Sequence, residues 1–175
     1  TIEDFNGDNK LDVAVGVSYV IDSPGNYVSI LVNNGNGTFT ESHLKAGINN
    51  HAYSLSCTAA DMNDDGYLDM FVGNDFAVND FLYINDGHGK FTDESLKMLS
   101  KTGINSMGVD IADFNNDGLP DMVVADMDMA DNYQYKTFML SQPIEMMRVM
   151  MNAGYNYQSR GNSLQLNNGD GTFSD

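Results

Sequence analysis

Three nine-residue stretches of the 175-residue chain obey one rule, and that rule restricts the available folds more than any other feature. Residues 4–12 (DFNGDNKLD), 61–69 (DMNDDGYLD) and 113–121 (DFNNDGLPD) all read D-x-N-x-D-[GN]-x-x-D. A second signature follows each: NNGNGTF at 33–39, NDGHGKF at 85–91 and NNGDGTF at 167–173. From Phe39 to Ser54 and from Phe91 to Ser106 is 15 residues, each step opening a matched segment, Ser54 to Ala60 and Ser106 to Ala112. Only the interval from the last loop Asp to the next Asn varies: 21 (Asp12 to Asn33), 16 (Asp69 to Asn85) and 46 (Asp121 to Asn167). Insertions confined to one connection of a recurring unit are the mark of a repeat architecture.

Within each unit apolar residues alternate with period two, as in strands: Val13, Val15 and Val17, then Met70 and Val72, then Met122 and Val124. The next strands carry Ile30 and Val32, Leu82 and Ile84, Leu164 and Leu166, each running into a Gly-rich hairpin turn. A fourth short strand opens at Phe39, Phe91 or Phe173. Four antiparallel strands in about 50 residues, repeated, predict an all-β chain: a β-propeller fragment of about three blades. Blade one is expected over 1–45 with its first strand missing, blade two over 52–98, and blade three over 105–175. Blade three takes an insertion at 127–161, where Pro143, Ile144, Met147, Met151 and Gly154 predict one short helix with Ile144, Met147 and Met151 on its packed face.

The nine-residue rule has its own chemistry. Calcium takes six to eight oxygen ligands in a flexible shell. Asp4, Asp8 and Asp12, Asp61, Asp65 and Asp69, and Asp113, Asp117 and Asp121 supply carboxylates at positions 1, 5 and 9. Asn6, Asn63 and Asn115 add an amide oxygen at position 3, and Lys10, Tyr67 and Leu119 offer a backbone carbonyl at position 7. Gly66, Gly118 and Asn9 suit a left-handed turn at position 6. An EF-hand loop begins alike but needs a carboxylate at position 12, and here position 12 is Val15, Val72 or Val124 within a strand. Acidic turns without metal are the plainer alternative. Three copies in register favour about three Ca²⁺ ions.

Charge narrows the partners. With 25 Asp and Glu against 8 Lys and Arg, the net charge of −17 repels nucleic acid and anionic membrane surfaces. No apolar run reaches the length of a membrane span, and Cys57, the sole cysteine, sets no compartment.

These loops resemble the FG-GAP/VCBS repeats of integrin-type propellers and bacterial exported proteins. The stretch Met107 to Asp113, Asp131-Asn132-Tyr133 and Asn162 to Gly169 resembles more narrowly the UnbV/ASPIC group, relatives of cartilage acidic protein. The resemblance implies a calcium-stabilised scaffold in an extracellular, cell-surface or periplasmic protein, of which this chain is a segment that the remaining blades would complete. We expect a non-catalytic module for binding or adhesion, with a protein or glycan ligand. The alternatives are an exported carbohydrate-active hydrolase or lyase using Asp75, Asp80, Asp126, Asp128 or Asp131, and a spacer. His43, His51 and His88 show no ligand spacing, Cys57 suits a buried inert thiol, and the Asn36-Gly37-Thr38 sequon reads as a hairpin turn.

Overall fold

A computed structural model of the chain describes residues 1–17, 27–49, 52–76, 78–127 and 144–175. Twelve strands form three four-stranded antiparallel sheets in sequential order. Blade one consists of β1 (Ile2–Glu3), β2 (Asp12–Val17), β3 (Tyr27–Asn33) and β4 (Phe39–Glu41), and blade two of β5 (Tyr53–Ala60), β6 (Asp69–Asp75), β7 (Phe81–Asn85) and β8 (Phe91–Asp93). After a short parallel strand, β9 (Thr102–Gly103), blade three comprises β10 (Ser106–Ala112), β11 (Asp121–Asp126), β13 (Ser163–Asn167) and β14 (Phe173–Ser174). The fourth strands begin at Phe39, Phe91 and Phe173, as the hairpin signature predicts. The first strand of blade one, expected to be missing, is present as Ile2–Glu3, paired with Val13 and Asp12.

Register makes the units superimposable in sequence. Ala14 faces Ile30, Phe71 faces Leu82 and Val123 faces Leu164 across the second and third strands. In blade two Met70, Val72 and Tyr83, which flank the pair, face blade one, and Phe71 and Leu82 themselves face blade three. The core therefore lies between blades. Phe5, Ala14, Val28 and Ile30 of blade one meet Met70, Val72, Tyr83 and Phe91 of blade two. One seam on, Met62, Phe71 and Leu82 meet Met122, Val124 and Phe173.

This arrangement corrects the simple alternation expected of the second strands. Every residue of β6 is buried, because blades one and three cover its two faces. In β2, by contrast, Ala14 is buried and Val15 exposed.

The connections between blades also bind. The main-chain N–H of Phe91 donates to the Ala46 carbonyl at 2.7 Å, and Leu99 makes a parallel bridge to Phe173. Each linker thus holds the outermost strand of the blade that follows it. The second linker contains a four-residue helix, α1 (Ser95–Met98), which the sequence does not announce.

The described part of the insertion forms α2 (Ile144–Asn152). Gly154 closes it with φ +92°, as expected. Among the side chains of α2 that are described, which exclude that of Ile144, Met147 and Met150 are half-buried and Met151 is half exposed, so of the expected stripe Met147 packs and Met151 does not. The returning limb pairs β12 (Gln158–Ser159) with β9 in parallel, and the Asn156 amide donates to the Ser95 and Leu99 carbonyls. The insertion therefore packs on the linker between blades two and three. Asp128, Asp131, Met129, Met139, Pro143 and His51 lie outside the described residues.

Candidate metal centres

Each acidic loop joins the first strand of its blade to the second and is folded by its own side chains. In loop two, Asp61 accepts main-chain N–H bonds from Asp65 at 3.1 Å and Gly66 at 2.8 Å. Asn63 accepts from the same Asp65 N–H at 3.2 Å, and Asp65 accepts from Tyr67 at 2.9 Å. Loop three repeats these bonds with Asp113, Asn115 and Asp117. Loop one repeats them with Asp4, Asn6 and Asp8, and adds a bond from Gly7 N–H to Asp4. Because positions 1 and 3 share one N–H, their oxygens are gathered. In loops two and three the position-3 amide also donates to the position-5 carboxylate, at 2.9 and 2.8 Å, drawing that group into the same set.

Two left-handed residues make this turn possible. Position 6 has φ +63° at Asn9, +87° at Gly66 and +89° at Gly118, as expected. Position 4 is also left-handed, with φ +73° at Gly7, +60° at Asp64 and +61° at Asn116. The sequence carried a signal for it, since Gly, Asp and Asn are the residues that tolerate this region best.

Position 9 has a structural role beside the one expected of it. Asp12, Asp69 and Asp121 are fully buried. One oxygen of each accepts from the main-chain N–H of position 2, at 3.3 Å from Phe5, 2.9 Å from Met62 and 3.0 Å from Phe114. The other accepts from the hairpin asparagine N–H, at 2.8 Å from Asn33, 2.8 Å from Asn85 and 2.9 Å from Asn167. This second bond spans the one connection whose length varies, so an insertion of any size leaves from and returns to the same clamp. Burial pushes the Asp69 carboxyl up to about 6 and raises that of Asp12.

Position 7 also does more than offer a carbonyl. The Lys10 stem, the Tyr67 ring and the Leu119 side chain lie against Gly35, Gly87 and Gly169 of the following hairpin, where no Cβ would fit without displacement.

Among the described residues, no three His, Cys, Asp or Glu side chains are grouped as a metal centre. The gathered set in loops two and three is two carboxylates and one amide oxygen. That set still suits a hard cation, because a carboxylate oxygen holding one N–H keeps a second lone pair. Loop one shows what a positive charge does here: the Lys10 ammonium sits 2.9 Å from Asp8 and holds its carboxyl below the usual range. Among the described residues, no lysine or arginine pairs with a carboxylate of loop two or three.

The other singled-out residues have local explanations. Asp80 accepts from Asn74 N–H, Gly103 N–H and the Ser106 hydroxyl. Asp126 accepts from Ile104 and Asn105 N–H, and Asp75 from Phe76 N–H and the Asn105 amide. These carboxylates organise the turn entering blade three. His43 contacts Glu41, and the His88 main chain donates to Asp86. Burial pushes the Cys57 thiol up to about 11. The hydroxyl and N–H of Thr38 both donate to Asn36, forming the expected turn.

Comparison with known proteins bears on the repeat. A solved structure of an Agrocybe aegerita lectin, described as recognising non-reducing terminal N-acetylglucosamine, matches with 22% identity and a TM-score of 0.45. The match covers 99% of this chain and 36% of the lectin chain, so the present chain spans about a third of that protein's length. No curated protein matches. The family model for the FG-GAP-like repeat matches twice, over residues 4–72 and 61–124, each match running from the first Asp of one loop into the second strand of the next blade. With the repeated loop, hairpin and seam now placed in three dimensions, the chain belongs to the FG-GAP-like repeat family.

Proposed function

We propose that the chain is a calcium-stabilised propeller segment of an exported or cell-surface protein and serves as a non-catalytic module for binding or adhesion. Within its family we assign it to the UnbV/ASPIC group, on the residues given above. The observation that carries the calcium reading is the uncompensated charge of loops two and three, where the same two carboxylates and amide oxygen are gathered on one turn. Loop one would hold an ion through Asp4, Asn6, Asp8 and Asp12, loop two through Asp61, Asn63, Asp65 and Asp69, and loop three through Asp113, Asn115, Asp117 and Asp121. Lys10, Tyr67 and Leu119 carbonyls and water would complete each shell. The ion's role there is neutralisation of like charges that otherwise repel across the turn. Affinities in the range of extracellular modules, about 10⁻⁴ to 10⁻³ M, fit a calcium-rich compartment.

The ligand face lies at the other end of the blades. Tyr53 and Phe76 meet edge to face at 5.2 Å, and both are exposed beside Asp75 and Asn105. Exposed rings next to hydrogen-bonding groups suit the mixed apolar and hydroxylated surface of a glycan, or a protein loop. The engagement of Asp75, Asp80 and Asp126 in turn hydrogen bonds supports a binding role over hydrolysis. Among the described residues, no helix is long and apolar enough to cross a membrane.

Thermal melts with millimolar calcium and with chelator test the reading. At calcium between two and twenty times Kd, each occupied loop adds about 0.6–1.8 kcal/mol, so chelation should lower the Tm by several degrees. Equal melting temperatures would remove calcium from the account.

A further inference from the structure

The described lysines of this acidic chain divide into two groups. Lys10, Lys97 and Lys101 each pair with a carboxylate. Lys45 and Lys90 pair with none among the described residues, although the chain carries 25 Asp and Glu. Both line one cleft of about 230 Å³ at the seam between blades one and two.

The backbone holds these two lysines side by side. Lys45 precedes Ala46 and Lys90 precedes Phe91, and the Phe91 N–H donates to the Ala46 carbonyl at 2.7 Å. The walls of the cleft are fixed as well. The Asn85 amide of blade two donates to the Phe5 carbonyl of blade one at 3.1 Å, as the Asn167 amide does to Met62 at the next seam. Gly89 lies against Asn6, where an added Cβ would come within 3.1 Å. The buried side chains of Phe5, Ile30 and Phe91 form an apolar floor. The acids nearby are already engaged. Asp12, which also lines the cleft, accepts from the Phe5 and Asn33 N–H groups. Asp86, on the hairpin that carries Lys90, is held below the usual carboxylate range, first by the bond from the His88 N–H, then by that from Lys90 and by their side-chain charges. Two like charges held together without a counter-ion repel, and an anion between them turns that repulsion into attraction.

The second seam shows that the charge is local. A groove of about 200 Å³ there is lined by Met62, Asn63 and Gly171, the counterparts of Phe5, Asn6 and Gly89. Asp170 and Thr172 stand where the first seam has His88 and Lys90, and Lys97, the counterpart of Lys45, pairs with Glu94. The repeat makes the hollow, and residues peculiar to the first seam make it cationic.

We propose that the cleft at the first seam binds a small organic carboxylate with a compact apolar body, the carboxylate between Lys45 and Lys90 and the body over Phe5, Ile30 and Phe91. The site lies at the acidic-loop end of the seam, apart from Tyr53 and Phe76, and does not depend on a ligand there. The net charge of −17 opposes every anion, so the affinity should be millimolar.

Amide NMR titration of the chain in millimolar calcium, with benzoate as the probe, tests this. Saturable shifts centred on Ala46, Gly89 and Phe91 are expected. Benzyl alcohol, which lacks the charge, and acetate, which lacks the body, should each bind more weakly by about fivefold or more. Lys45→Gln and Lys90→Gln alter exposed side chains and should leave the circular dichroism unchanged, while weakening benzoate about threefold each and about tenfold together. Lys90→Arg keeps the charge and should keep the affinity within about twofold. Benzoate shifts that fail to saturate, or that scatter over the surface, overturn the site. Equal binding of benzyl alcohol, or of benzoate by the double glutamine variant, overturns the role of the lysines, and equal binding of acetate overturns the apolar body.

Discussion

Blades one and two obey the same nine-residue rule, yet they differ in what covers them. Blade two lies between neighbours: β6 is buried throughout, Val72 is inaccessible, and Asp69 receives its N–H bonds at 2.9 and 2.8 Å. Within this chain blade one meets one neighbour. Its Val15 is 40% exposed, its Asn33 half-buried, and the bond from Phe5 N–H to Asp12 is longer, at 3.3 Å. The charge of loop one is relieved by Lys10, and that of loop two by nothing among the described residues. Local sequence therefore sets the turn, while the adjoining blade sets how dry and how tightly bonded that turn becomes.

The sharpest way to break this comparison is to remove position 9 in each blade. Asp69→Ala leaves the Met62 and Asn85 N–H groups buried without acceptors, at about 1–3 kcal/mol each. We expect a loss of about 3 kcal/mol or more in urea unfolding. Asp12→Ala should cost roughly half as much, since water can reach the Asn33 side of the clamp. Equal losses would show that the neighbouring blade contributes nothing to the bond.

A second test uses the other buried carboxylate of blade two. Burial, with the nearby Asp126 charge adding to it, pushes Asp80 up to about 6 from a usual value of 3.8. A carboxyl raised by folding favours the folded state while protonated, so its contribution is complete below about pH 4 and disappears as pH rises through about 6. The wild type should lose stability relative to Asp80→Asn across that window. A difference between the two that does not change with pH rules out a buried ionisation.

The smallest effect is expected at Lys10. Lys10→Ala removes the ammonium from Asp8 and should tighten calcium binding at loop one a few-fold by titration calorimetry, bringing it closer to loops two and three. Unchanged affinity would mean that the lysine does not compete for the loop.

Much of this was legible in the residues. The three hairpin signatures placed the starts of the fourth strands at Phe39, Phe91 and Phe173, and the Gly and Asn at position 6 placed one left-handed turn. The side of each strand that would be buried was not legible. Val15, Val72 and Val124 are the same residue type at the same position, yet one is exposed and two are buried, because the covering group comes from a different repeat. For the same reason the clamp made by Asp12, Asp69 and Asp121 was not legible. A pattern of acids reports charge within one loop, and the acceptor role of position 9 depends on a hairpin 16 to 46 residues away. The short helix α1 is four residues long and carries no period to detect.

The seam bonds have a direction, and it bears on how the chain is made. Each asparagine amide belongs to the later blade and each accepting carbonyl to the earlier one. During synthesis, when N-terminal units leave the ribosome first, the acceptor is already displayed before its donor has been translated. Every new unit therefore closes onto a finished template and reaches back only one unit, so growth is stepwise and an error at one step is confined to the nearest neighbours.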